Sequence, residues 1–160
     1  MDTINRSILP VLLLIASVVL WGCQSQSNSK EEGNKKVILG KLELYDGWAR
    51  PGAKGQNSAG YLIISNGTAS VDTLLSVNSD VAETCEIHES YQNDDGTVSM
   101  RPAGRQVIAD GNDLTLTPGG KHIMLMKLKR ELAVGDSVMI SLTFSNVGQK
   151  SLKLPVKVQN

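Results

Sequence analysis

The run PGGKHIMLM, residues 118–126, places His122, Met124 and Met126 at alternate positions. The whole chain holds two histidines and five methionines, the initiator included. Alternate side chains of a strand share a face, so one imidazole and two thioethers line one side while Ile123 and Leu125 line the other. The second histidine, His88, lies in TCEIHESY, where Glu86 and His88 share one face and Cys85 and Ile87 the other. Met100 closes GTVSM after the turn-forming Asp94, Asp95 and Gly96, so these two segments can pair as a hairpin that brings His88 and Met100 together. Imidazole with thioether is a soft, neutral donor set. It suits Cu(I) and competes poorly for Zn²⁺, Mg²⁺ or Ca²⁺.

The N-terminus says where such a site would work. A short polar start with Arg6 is followed by an apolar run from Ile8 to Trp21, then by Gly22, Cys23 and the polar stretch QSQSNSKEEGNKK. The run is short for a membrane span and has the length of a signal-peptide core. Leu20, Gly22 and Cys23 resemble the lipobox of bacterial lipoproteins, with Trp21 bulkier than is usual there. That resemblance implies cleavage after residue 22 and lipidation of Cys23. Residues 1–22 are therefore expected to be a lipoprotein signal peptide, 23–36 the lipidated cysteine and a flexible tether, and 37–160 the folded domain. An ordinary secretory signal, with Cys23 incidental, is the alternative. Cys85 is then the one unmodified thiol, so no internal disulfide is available and the core must hold the fold. Outside the cytoplasm, paired thiols risk oxidation to a disulfide. Methionine cannot form one, although it can become a sulfoxide.

Lys+Arg and Asp+Glu both total 16, which gives no electrostatic reason to expect nucleic acid as a partner. From Val37 onward, short apolar runs of period two alternate with turn-formers. SVMISLTF sets Val138, Ile140, Leu142 and Phe144 on one face, and SLKLPVKV does the same with Leu152, Leu154, Val156 and Val158. Pro155 falls on the polar side and marks an edge strand. Further strands are expected over 37–45, 61–65, 73–77, 84–91, 97–101, 113–117 and 122–128. With no helical stripe and no internal repeat, the expectation is an all-β sandwich or barrel. Asn66-Gly67-Thr68 matches a glycosylation acceptor formally but reads as a turn.

The spacing of the scarce residues resembles a known family. Ten residues separate Glu89 from Met100, 21 separate Met100 from His122, and Met124 follows two positions on. This is similar to the H-(M)-x10-M-x21-H-x-M signature of the periplasmic copper chaperones called PCu(A)C. The similarity extends over GWAR (47–50), AGYLIISNG (59–67), EIH (86–88), LTLTPGGKHIML (114–125) and GDSVMISLTF (135–144). It implies a single Greek-key β-sandwich or barrel of cupredoxin type, with His88, Met100, His122 and Met124 as Cu(I) ligands. It also implies a lipid-anchored, non-enzymatic chaperone facing the periplasm or cell exterior. Such a protein would pass copper to an acceptor in the cell envelope, such as the copper A centre of cytochrome c oxidase. Glu89 stands where the signature allows a further methionine, which suggests weaker early capture of copper. Met126 lies outside the four-ligand pattern and is read as packing or support.

Three rivals stay open at this point. A blue-copper electron carrier would recruit Cys85 beside two histidines and a methionine. Against it, Cys85 and His88 are an odd number of residues apart and so fall on opposite faces of a regular strand. A structural or interaction lipoprotein would use the histidines and methionines only in packing. Zinc buffering conflicts with thioether donors. No nucleophile elbow, zinc-protease motif or phosphate-binding loop is present. Trp48, Arg50 and Tyr61, in the family-like stretches, are assigned no chemistry.

Overall fold

The computed structural model describes residues 37–39 and 42–159. The signal peptide, Cys23 and the tether therefore lie outside the described residues. Within them the chain is all-β: β1 (Val37–Leu39), β2 (Leu42–Ala49), β3 (Ser58–Asn66), β4 (Asp72–Ser79), β5 (Ala82–Gln92), β6 (Val98–Pro102), β7 (Gln106–Ile108), β8 (Asp113–Leu116), β9 (Lys121–Leu128), β10 (Ser137–Phe144) and β11 (Gln149–Pro155). One antiparallel sheet runs β1-β2-β3-β9-β5-β6, with β8 also paired to β3; the other runs β11-β10-β4-β7. This is the all-β sandwich that period-two alternation implies.

The alternation decides what each sheet buries. On β10, Val138, Ile140, Leu142 and Phe144 are buried, and they meet Leu42, Leu44, Leu62, Ile64, Ile123 and Leu125 of the larger sheet in one aliphatic core. Leu154 is fully buried where β2 and β3 carry glycines. A Cβ on Gly47 would lie 2.5 Å from Leu154 Cδ2, and one on Gly60 3.3 Å from Leu154 Cδ1. Both glycines therefore make room for this leucine between the sheets.

Three details depart from the sequence expectation. The run 37–45 is two strands, with β1 antiparallel to β2 and Leu39 opposite Leu42. Apolar residues continue on both sides of Gly40, so composition alone merges them. The short β7 pairs with β4 and was not foreseen, because three residues are too few for a period to register. The last apolar run ends as a strand at Pro155, whose strand β11 is an edge, and Val156 makes a separate parallel bridge to Ala49.

A bulge in β2 matters for the site. The β2–β3 register shifts between Tyr45 and Trp48, and Asp46 takes a left-handed φ of 54°. The extra residue reverses which side chains face outward. Beyond it Ala49 is buried, while Trp48 stacks on Tyr61 of β3 at a centroid distance of 4.5 Å.

Candidate metal centre

The β5–β9 pairing is what assembles the scarce residues. It sets His88 directly opposite His122 and Glu86 opposite Met124. Directly paired residues share a face, and the two imidazole centroids stand 6.2 Å apart. The intervening Ile87, Ile123 and Leu125 point into the core on the reverse side. The β5–β6 hairpin then places Met100 opposite Ser90 and Pro102 opposite His88, so Met100 sits diagonally from His88 on the same face. Met100, His122 and Met124 line one surface cleft of about 190 Å³, which Arg50, Tyr61 and Pro118 also wall. His88 is not among the residues that wall this cleft; it stands across the β5–β9 pair from His122.

The four side chains differ sharply in exposure. His122 is 4% exposed and Met100 is 56% exposed. The His88 side chain is at 12%. One end of the site is fixed within the fold and the other is open to solvent.

The turn before His122 explains its glycines and sets its ring. Gly119 has φ +79°, a conformation that side-chain-bearing residues rarely adopt, and Gly120 N–H donates to Thr117 O at 3.1 Å. The carbonyl of Gly120 accepts twice, from Ser90 N–H and from His122 Nδ1, each at 3.1 Å. A carbonyl only accepts, so Nδ1 carries the hydrogen and Nε2 keeps a free lone pair. On His88, Nε2 stands 3.0 Å from the carboxylate Oε2 of Glu86. The His122 ring also lies 6.4 Å from that of Tyr61. A row of rings thus crosses four strands, from Trp48 through Tyr61 and His122 to His88.

Chemically, the face offers nitrogen and sulfur lone pairs. Among the described residues no three His, Cys, Asp or Glu side chains are grouped so as to hold a metal ion. A site with four donors exists here only if the thioethers take part, which selects for a soft ion.

The remaining singled-out residues fall elsewhere. Cys85 pairs with Leu125, on the opposite side of the sheet from both histidines. It packs against the core, and burial pushes its thiol pKa up. The geometry that a Cys-ligated blue-copper centre requires is therefore missing. Glu89 also faces away from His88; it pairs with Arg101, whose Nε donates to Oε1 at 2.7 Å. The position of the optional methionine is thus turned from the site in the described strand. Met126 lies opposite Thr84, one strand step beyond Met124, and does not line the cleft. Asn66 is wholly buried and its Nδ2 donates to Ser70 O and Ile108 O, so its amide serves the turn. Sequence reading missed Arg50 and Tyr61 as cleft walls, and it missed the contact of Glu86 with His88. The bulge in β2, beyond which Trp48 meets Tyr61, has no signature in composition.

Fold and site together define a two-sheet antiparallel sandwich that carries a His/Met face at the β5–β9 pair. Residues 42–156 match the family model described as "Putative lipoprotein LpqE-like", and the chain belongs to that family. It is 28% identical over 139 residues to "Putative lipoprotein Lxx21020" of Leifsonia xyli, covering 86% of this chain and 82% of that one. Among solved structures, the copper-bound PCuAC domain from PmoF2 superposes with a TM-score of 0.64 at 19% identity, over 78% of this chain and 99% of that domain. The Cu(I) form of DR1885 from Deinococcus radiodurans gives 0.52 at 27% identity, over 70% and 76%. The resemblance to PCu(A)C proteins drawn from the residues is thus borne out for family and fold.

Proposed function

We propose that this protein is an extracytoplasmic Cu(I) chaperone that holds the ion with His88, Met100, His122 and Met124. The observation that carries the reading is the pairing of His88 with His122, with Met124 and Met100 on the same face. Support comes from the copper-bound PCuAC domain and the Cu(I)-loaded DR1885, which share the fold. All four ligands are neutral, so the ion is held by donor softness rather than by opposing charge, which favours release to an acceptor. We assign the protein no catalysis.

Exposure supplies a direction for exchange. His122, buried and held by Gly120, is the anchor. Met100, more than half exposed on the edge strand β6, is the donor that an acceptor's ligand displaces first. The acceptor is a copper-binding protein of the cell envelope, such as the copper A centre of cytochrome c oxidase. Cys23 would carry the lipid that tethers the domain to its membrane, in keeping with the lipoprotein description of the family.

An anaerobic Cu(I) titration of residues 24–160 against a chromogenic chelator tests this. One tight equivalent is expected, absent in the His122→Ala/Met124→Ala double variant and not reproduced by Zn²⁺. No uptake, or uptake untouched by the double change, would leave only the structural lipoprotein.

A further inference from the structure

Three glutamates of β5 show contrasting arrangements. Glu83 pairs with Lys127 at 3.3 Å and Glu89 with Arg101 at 2.7 Å. Glu86 instead turns its Oε2 to Nε2 of His88 at 3.0 Å. It can do so because it lies two residues before His88, on the same face of the strand.

That contact sets the tautomer. An ionised carboxylate accepts and cannot donate, so the His88 nitrogen facing it carries the hydrogen. The free lone pair of His88 is then on Nδ1. His122 is the opposite case, with Nδ1–H on the Gly120 carbonyl and the lone pair on Nε2. The two paired rings therefore present different nitrogens, each fixed by a hydrogen bond at the far side of its ring. Histidine ligands of metals are commonly oriented in this way by a carboxylate or a carbonyl, which also makes the ligating nitrogen more basic.

We infer that Glu86 is a positioning residue for the copper site: it holds His88 Nε2–H, so that Cu(I) meets Nδ1 of His88 and Nε2 of His122. This rests on the copper reading above. Loss of such an orienting partner costs about 10–100-fold in metal affinity.

The test uses the full-length chain in detergent with ¹⁵N-labelled histidine. Two-bond ¹H–¹⁵N spectra report which ring nitrogen is protonated, first without metal and then with one equivalent of Cu(I). The metal-free protein should show His88 as the Nε2–H form, and copper should shift Nδ1 of His88 and Nε2 of His122. Glu86→Ala should scramble the His88 tautomer and weaken Cu(I) binding about 10–100-fold. Glu86→Gln, whose amide oxygen still accepts from Nε2–H, should keep the tautomer and recover part of the affinity. Thermal midpoints run beside them should stay near wild type, since the Glu86 side chain is 44% exposed. Copper bound at Nε2 of His88, or wild-type affinity in Glu86→Ala, overturns the inference while leaving the chaperone reading intact. No copper uptake by the wild type overturns both.

Discussion

Two buried polar groups in this domain invite comparison. Asp72, at the start of β4, is 1% exposed, and His122 is 4% exposed. The carboxylate of Asp72 is filled by the chain itself. Its Oδ1 accepts from Thr73 N–H at 2.7 Å, Ser145 Oγ–H at 2.7 Å and Asn146 N–H at 3.0 Å, and its Oδ2 accepts from Val147 N–H at 3.1 Å. It clamps the β10–β11 turn onto β4, with all its partners internal. The His122 ring spends only one nitrogen on the fold, and the thioethers beside it spend no sulfur. A closed set of hydrogen bonds holds structure, whereas a buried group with lone pairs left over is equipped to hold something else.

Substitutions should separate the two regions. The largest effect on binding is expected from His122→Ala/Met124→Ala, which removes the anchor and its neighbour. Cu(I) uptake should vanish in the chelator competition, with a moderate fall in melting temperature, because His122 is buried and gives up its hydrogen bond to Gly120. Asp72→Ala should do the reverse. It removes the buried acceptor of four part-buried hydrogen bonds, from Thr73, Ser145, Asn146 and Val147, at a cost of about 3 kcal/mol, which is on the order of 10 °C in melting temperature. Its Cu(I) affinity should match wild type. If Asp72→Ala abolished copper binding in the folded protein, the division between clamp and site would be wrong.

The same clamp predicts how stability responds to acid. Burial alone would raise the Asp72 pKa, but the hydrogen bonds from Ser145, Asn146, Thr73 and Val147 outweigh it and hold the carboxyl below its ordinary value of 3.8. A group depressed in the folded state contributes stability that is full above the unfolded pKa and is lost as pH falls through the folded one. Thermal scans should therefore show the wild type losing this contribution below about pH 4. Asp72→Asn, already without it, should show a shallower loss over that window. Equal slopes in the two proteins would remove Asp72 from the account.

Much of this was legible beforehand, for physical reasons that differ by region. Period-two alternation marks β9, β10 and β11 because one face of each is buried, and burial is what imposes the pattern. The same parity correctly separates Cys85 from His88. The candidate donors stood out because histidine and methionine are scarce here and recur at alternate positions. Glu86 was not, since carboxylates are common on strand faces and only the contact distinguishes it from Glu83 and Glu89. The bulge at Asp46 was also hidden. It is fixed by backbone pairing with β3, and no residue type announces it.

The smallest expected effect sharpens the comparison on the reverse face of the same strand. Cys85 is three residues from His88 yet belongs with Leu125 and the core. Cys85→Ser places a hydroxyl where a small apolar sulfur packs, and about 1 kcal/mol of stability should be lost. Copper affinity should not change, and Cu(II) added to the wild type should give no intense blue thiolate band. Burial raises the thiol pKa, so alkylation near neutral pH should be slow in the folded protein and quick after unfolding. A blue band that disappears in Cys85→Ser would require the strand to rotate a core residue onto the face that carries His88. His88, on the same strand, would then have to leave that face, so that single spectrum tests the register on which the proposed site depends.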